Sequence, residues 1–188
     1  MSGANTLSRQ SRKNDQPQRA RPQVGLGSES DTYIVFELEN TQYALPSHVV
    51  QQMEMVEEIT LVPNAPEAVE GVVFARGQVI PALSLRVRFG LPKRPHTLRS
   101  RLIVVNSQDR TLGMIVDTAR EFIKIPAEAI QPPPDALNNE EEDYLLGIAS
   151  IGERFILILN SDRIISSTGP IQISVPSDDQ TDQATATL

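Results

Sequence analysis

A chain of 188 residues with 39% apolar side chains is long enough for one domain, or for two small halves that share an interface. Aromatic residues make up only 4% and Trp is absent, so the core must be aliphatic, and its Val and Ile favour pleated sheet. The absence of Cys excludes disulfides, a thiol nucleophile and thiolate zinc sites, and a net charge of −7 argues against general affinity for nucleic acid.

Residues 1–30 are polar, carry Arg9, Arg12, Lys13, Arg19 and Arg21, and show no hydrophobic period, which predicts a disordered basic tail. Residues 167–188 carry Asp178, Asp179 and Asp182 and read as a disordered acidic tail. The N-terminus lacks an apolar stretch behind its charges, and no run approaches the roughly 18–20 apolar residues that span a bilayer. A cytoplasmic location without membrane insertion is expected.

The folded part is expected over 31–166. It opens on an alternating strand with Ile34, Phe36 and Leu38 on one face, and Asn40-Thr41 turns it into a second strand through Tyr43 and Leu45. Pro46-Ser47 predicts a short helical turn bearing Val49, Val50 and Met53, followed by a strand over Glu54–Pro63. A hairpin comes next: Val72–Phe74, a turn at Arg76-Gly77, and Gln78–Leu83. Pro81 demotes that last strand to an edge, or to a place where its missing N–H is harmless. Ser84 is placed to cap a short helix ending before Gly90-Leu91-Pro92.

The pattern then repeats. Arg101–Asp117 is a second alternating hairpin turning at Ser107–Arg110, and Arg120–Pro126 is a further strand. Leu145–Ser166 parallels Gly71–Gly90: Gly147 matches Gly71, Gly152-Glu153 matches Arg76-Gly77, and Asn160 matches Ser84 as a cap. Short strands with frequent turns favour small closed barrels, and units of about sixty residues are marginal alone, so two barrels should pack side by side. The expected fold is all-β, with subdomains over roughly 31–95 and 96–166 and exchange of strands between them left open.

The catalytic inventory is empty. His48 and His96 lie apart without a spaced carboxylate or thiolate, no phosphate loop or nucleophile elbow is present, and Gly25 and Gly27 follow no strand. Glu140–Asp143 reads as a solvated loop after a Pro run, and Asp117 and Glu121 read as surface charges. No metal and no cofactor are expected, and the protein is read as a non-enzymatic binding module.

Three segments carry a family resemblance: GVVFARGQVIPALSLRVRFGLP, GMIVDTAREFIKIPAEAIQPPP and LLGIASIGERFILILN, in that order. Gly71, Arg76, Gly77, Pro81, Leu85, Arg86 and Phe89 stand where the signature of the CheW family requires them. The chain over about 31–166 thus resembles that family. The resemblance implies two five-stranded SH3-like β-barrels with short helical turns. It also implies an adaptor that binds the regulatory domain of a CheA-type histidine kinase and the cytoplasmic tip of methyl-accepting chemoreceptors, recruited to membrane-bound receptor arrays. By position it places the partner-binding sites on Val50, Gln52, Gly71, Arg76, Ala119 and Phe122. Arg76 on a Gly-turn either forks onto a partner or ties the turn to the neighbouring barrel. Phe122 either faces a groove or belongs to the core.

Departures fall at Gln52, where the family usually has an acid, at Phe74-Ala75, which replace Asn-Leu, and at Ala82 and Ser84. They point to a divergent pathway, such as twitching motility or phototaxis. The alternative from another class is a small-barrel nucleic-acid-binding module, for which Lys93, Arg94, Arg99 and Arg101 form the one basic cluster.

Overall fold

The computed structural model describes residues 31–75, 77–107, 110–134 and 144–168, with Arg120 described by its backbone alone. The expected tail 1–30, the expected tail 167–188 from residue 169 on, the signature Arg76 and the run Glu140–Asp143 lie outside the described residues, while Ser167 is helical and Thr168 is buried, contrary to a tail that starts at 167.

The strands are β1 (Asp31–Leu38), β2 (Thr41–Pro46), β3 (Val50–Met55), β4 (Val69–Ala75), β5 (Gln78–Ser84), β6 (Arg101–Ser107), β7 (Arg110–Val116), β8 (Thr118–Ile125), β9 (Ile130–Gln131), β10 (Leu145–Ile151) and β11 (Arg154–Leu159). Two short helices, α1 (Leu85–Arg88) and α2 (Ser161–Ser167), follow β5 and β11. One sheet has the order β8-β1-β2-β11-β10-β9 and the other β3-β6-β7-β5-β4. They form two small SH3-like barrels, each of five long strands, the first extended by the two-residue β9.

A division of the chain near residue 95 does not follow these sheets. Hairpin β1–β2 sits between β8 and β11 of the second half, and hairpin β6–β7 sits between β3 and β5 of the first. Each hairpin is a tight local unit, so it can leave its own half intact and complete the other barrel. The exchange is reciprocal and in register. Ala44 pairs with Ile158 in the parallel β2–β11 ladder, as Gly113 pairs with Ala82 in β7–β5. Ser84 N–H donates to the Ala68 carbonyl at 2.8 Å, and Asn160 N–H donates to Tyr144 at 2.8 Å. The side chains of Ser84 and Asn160 cap α1 and α2 by accepting from Val87 and Arg163 N–H.

The matched glycines have one steric cause. Each barrel closes where a bent segment lies on the outer strand of a hairpin: Thr60 bridges Val72 of β4, and β9 pairs with β10. A Cβ at Gly71 would sit 2.2 Å from the Thr60 carbonyl oxygen, and one at Gly147 would sit 2.6 Å from Ile130 Cγ2. Both glycines also fall at a register shift in their hairpin.

Strand β1 is buried on both faces, unlike the half-exposed strand expected. Tyr33 and Val35 fill one barrel with Ala44, Ile125, Ile156 and Ile158, while Phe36 and Leu38 turn outward into a seam. Strand β6 does the same, with Leu102 and Val104 inside the other barrel and Ile103 and Val105 in the seam. The seam is the largest core cluster, and Leu45, Leu83, Met114, Leu159 and Ile164 join it from both barrels. Two further expectations are corrected. The helical turn after Pro46 covers only Ser47–Val49, so Val50 and Met53 lie in a strand, and the expected strand over 54–63 shrinks to the end of β3 and the single bridge at Thr60. Pro81 lies in an interior strand, but the β5–β7 ladder begins only at Ala82, so no donor is missed there.

Candidate partner-binding site

The residues singled out from the sequence fall on three strands. Val50 and Gln52 lie on β3, Gly71 on β4, and Ala119 and Phe122 on β8. Among the described residues, strands β3 and β8 are sheet edges, one in each barrel. They are also equivalent strands of the repeat. Val50 pairs with Val105 and Gln52 with Val104, which leaves Gln51 as the extra residue; Ala119 pairs with Phe36 and Glu121 with Val35, which leaves Arg120. Val50 and Ala119 therefore hold the same place at the same bulge in the two barrels. Both border the seam: Ala119 is part of that cluster and Val50 packs against it.

The members differ in exposure. Phe122 is 60% exposed, which removes the core reading for its ring. Gln52 is half-buried, and its amide donates to the Glu54 carboxylate. The repeat equivalent of Gln52 is Glu121, which pairs with Arg154 at 3.0 Å across the barrel end. Gly71 has no side chain to offer, and the 2.2 Å approach of Thr60 accounts for its identity. The exposed Phe74 stands opposite Val79, and Val72 opposite Pro81, on the outer face of the β4–β5 hairpin.

Sequence reasoning missed a buried ion cluster beside the seam. Arg86 on α1 is 5% exposed; it reaches Asp117 Oδ2 at 2.5 Å and Glu39 Oε1 at 3.2 Å, and its Nε donates to the Pro92 carbonyl at 2.9 Å. Arg94 adds a contact to Glu39 at 3.1 Å, and Glu39 N–H donates to Asp117 at 2.8 Å. Glu39 occupies the β1–β2 turn with φ 59°, so the cluster pins the tip of an exchanged hairpin. Asp117 is thus no free surface charge, and neither is Glu121. His96, read as lacking a carboxylate, pairs with Glu70 at 3.2 Å, and Lys93 lies 3.8 Å from the same group. The remote chain positions of these carboxylates hid the pairings. Burial pushes the phenols of Tyr33 and Tyr43 above their ordinary range.

Among the described residues no group of three or more His, Asp or Glu is placed to hold a metal ion, and no helix is long and apolar enough to cross a membrane. The arrangement offers two equivalent edge strands flanking one seam, a geometry for contact with other chains. A sequence profile described as CheW-like domain matches residues 32–169. The chain belongs to the CheW family. Chemotaxis protein CheW of Helicobacter pylori is 33% identical over 135 residues, which cover 71% of this chain and 80% of that one. Chemotaxis protein CheW of Klebsiella aerogenes is 28% identical over 135 residues, covering 72% and 81%. The crystal structure of the scaffolding protein TtCheW from Thermoanaerobacter tengcongensis matches with a TM-score of 0.65 and 33% identity, covering 70% of this CheW-family chain and 89% of that one.

Proposed function

We propose that this protein is a non-enzymatic scaffold of a chemosensory array, coupling chemoreceptors to a CheA-type histidine kinase. The observation that carries the reading is the pair of equivalent edge strands, β3 and β8, on either side of one seam. A scaffold must hold two partners at a fixed relation, and two barrels locked by exchanged hairpins supply that relation. Val50, Gln52, Ala119 and Phe122 form the contact set of this proposal, with Phe122 as its exposed aromatic anchor. Gly71 acts through the fold, and Arg76 joins the proposal on the family resemblance alone, as a guanidinium suited to fork onto a partner. The proposed partners are the regulatory domain of the kinase and the cytoplasmic tip of the receptor. Recruitment to membrane-bound arrays from the cytoplasm follows from that pairing.

The nucleic-acid alternative finds little support. Two of its four cations, Lys93 and Arg94, lie against carboxylates, and the basic loop has no stacking aromatic. Pull-down of the kinase regulatory domain by the full chain, compared with Arg76→Ala and Phe122→Ala, tests the scaffold reading. Retention by the wild type and loss in the variants is the expected result, and absence of any wild-type binding to kinase or receptor tip would overturn it.

A further inference from the structure

The loop between α1 and β6 carries Lys93, Arg94 and Arg99, Arg101 opens β6, and no carboxylate falls over residues 91–101. Lys93 and Arg94 are answered by Glu70 and Glu39, but among the described residues neither Arg99 nor Arg101 has a carboxylate within ion-pair reach. Leu98, next to Arg99 in the chain, is 86% exposed.

The loop is held in one shape. Ser100 N–H donates to the Thr97 carbonyl at 2.9 Å, closing a turn with Leu98 and Arg99 at its centre. Ser100 Oγ accepts from Thr97 N–H at 2.9 Å, and Thr97 Oγ1 accepts from Arg99 N–H at 3.2 Å. Arg101 folds back and its Nη1 donates to the Leu98 and Ser100 carbonyls at 2.9 and 2.8 Å, contacts that hold the side chain and leave its charge unanswered. Ser100 is buried, so the turn is anchored from beneath. A second exposed apolar side chain, Met55 at 53%, stands opposite Arg101 in the β3–β6 register. A hydrogen-bonded turn that presents an apolar side chain beside two arginines without a carboxylate loses little conformational freedom on binding.

We infer that Leu98, Arg99, Arg101 and Met55 form a docking surface for an acidic protein segment that carries an apolar side chain among its carboxylates. The surface lies at the far end of edge strand β3 from Val50, about 17 Å along the strand. The inference rests on the scaffold reading, since it assigns the acidic segment to the partner that contacts Val50 and Gln52. A protein of net charge −7 presents this positive end as an exception, so charge orients the partner on approach. Glu57 and Glu58, exposed just after Met55, bar a partner whose carboxylates are displaced towards them.

The test titrates the full chain with two probes, the regulatory domain of the CheA-type kinase and the receptor cytoplasmic tip, at about 50 and about 300 mM salt. Reversal of both charges, Arg99→Glu with Arg101→Glu, is expected to weaken binding of one probe about tenfold at low salt and to flatten its salt dependence. Leu98→Ala is expected to cost that probe about fivefold at both salt concentrations. Thermal unfolding of the variants checks that the fold is kept. Wild-type binding that the variants leave unchanged overturns this inference alone, and so does an effect confined to control vesicles of anionic lipid or single-stranded DNA. Wild-type protein that binds neither probe overturns the scaffold reading and this inference with it.

Discussion

Replacing Arg86 by Ala removes a cation that faces both Glu39 and Asp117 from inside the protein. The Arg86 side chain is 6% exposed, whereas the side chains of Glu39 and Asp117 are about one-third exposed, at 35% and 32%. Breaking a fully buried pair by deleting one partner costs about 3–5 kcal/mol. Solvent reaches the two acids here, and Arg94 still answers Glu39, so the loss should fall to about 2–4 kcal/mol. The expected result in a urea titration is a lower midpoint with an unchanged slope, because the surface exposed on unfolding stays the same. Arg86→Lys keeps the charge but cannot serve Asp117, Glu39 and the Pro92 carbonyl together, so it should recover only part of the loss. Coupling this change to Asp117→Asn in a double-mutant cycle should give an interaction of about 1–3 kcal/mol. A loss below about 0.5 kcal/mol for Arg86→Ala, or zero coupling to Asp117, would refute the claim that this cluster fixes the exchanged hairpin.

Gly71→Ala and Gly147→Ala should each destabilise the fold by about 2–4 kcal/mol, since the new methyl meets Thr60 backbone in one barrel and Ile130 in the other; equal urea midpoints for variant and wild type would contradict the shared closure. Asn160→Ala should cost about 1 kcal/mol through loss of the α2 cap, read from the same titration. Phe122→Ala should leave stability within about 0.5 kcal/mol, its ring being largely exposed, while lowering partner affinity by calorimetry. Tyr33 and Tyr43 have folded pKa values raised by burial, so the stability linked to their neutral forms is complete below about pH 10 and is lost as pH climbs through their raised values. Denaturant midpoints measured across that alkaline range should fall, and Tyr33→Phe should blunt the fall.

The local parts of this fold were legible because each rests on few residues. Alternation from Ile34 to Leu38 and a two-residue turn define a hairpin without help from the rest of the chain. Ser84 and Asn160 announce their helices because capping needs one side chain and one N–H three residues on. The exchange of hairpins was not legible, because parallel pairing of β2 with β11 joins residues more than a hundred positions apart and leaves no periodic mark. Arg86 was hidden for a related reason. On a short helix beside Arg88 it looks like one more basic surface residue, and only the fold brings Glu39 and Asp117 to it. At the candidate site the resemblance named positions, and only the fold supplies their relation. That Val50 and Ala119 share one bulge emerges only from the two registers.

That relation bears on why a scaffold takes this form. Two independent barrels on a linker would present two docking edges at a variable distance and angle. Here each barrel contains a hairpin from the other half, so neither can move without breaking a five-stranded ladder. Phe36, Leu45, Ile103 and Met114 belong to those exchanged hairpins and also fill the seam, so the strands that complete the barrels are the strands that hold them together. The Arg86 cluster adds direction to this apolar contact, because its hydrogen bonds to the β1–β2 turn and the β7–β8 junction tolerate little rotation. Edge strands β3 and β8 pair directly with β6 and β1, the first strands of the two exchanged hairpins. The spacing of the two proposed docking edges is therefore set by the most buried part of the molecule, and a change in the seam should disturb coupling between partners before it abolishes binding of either one.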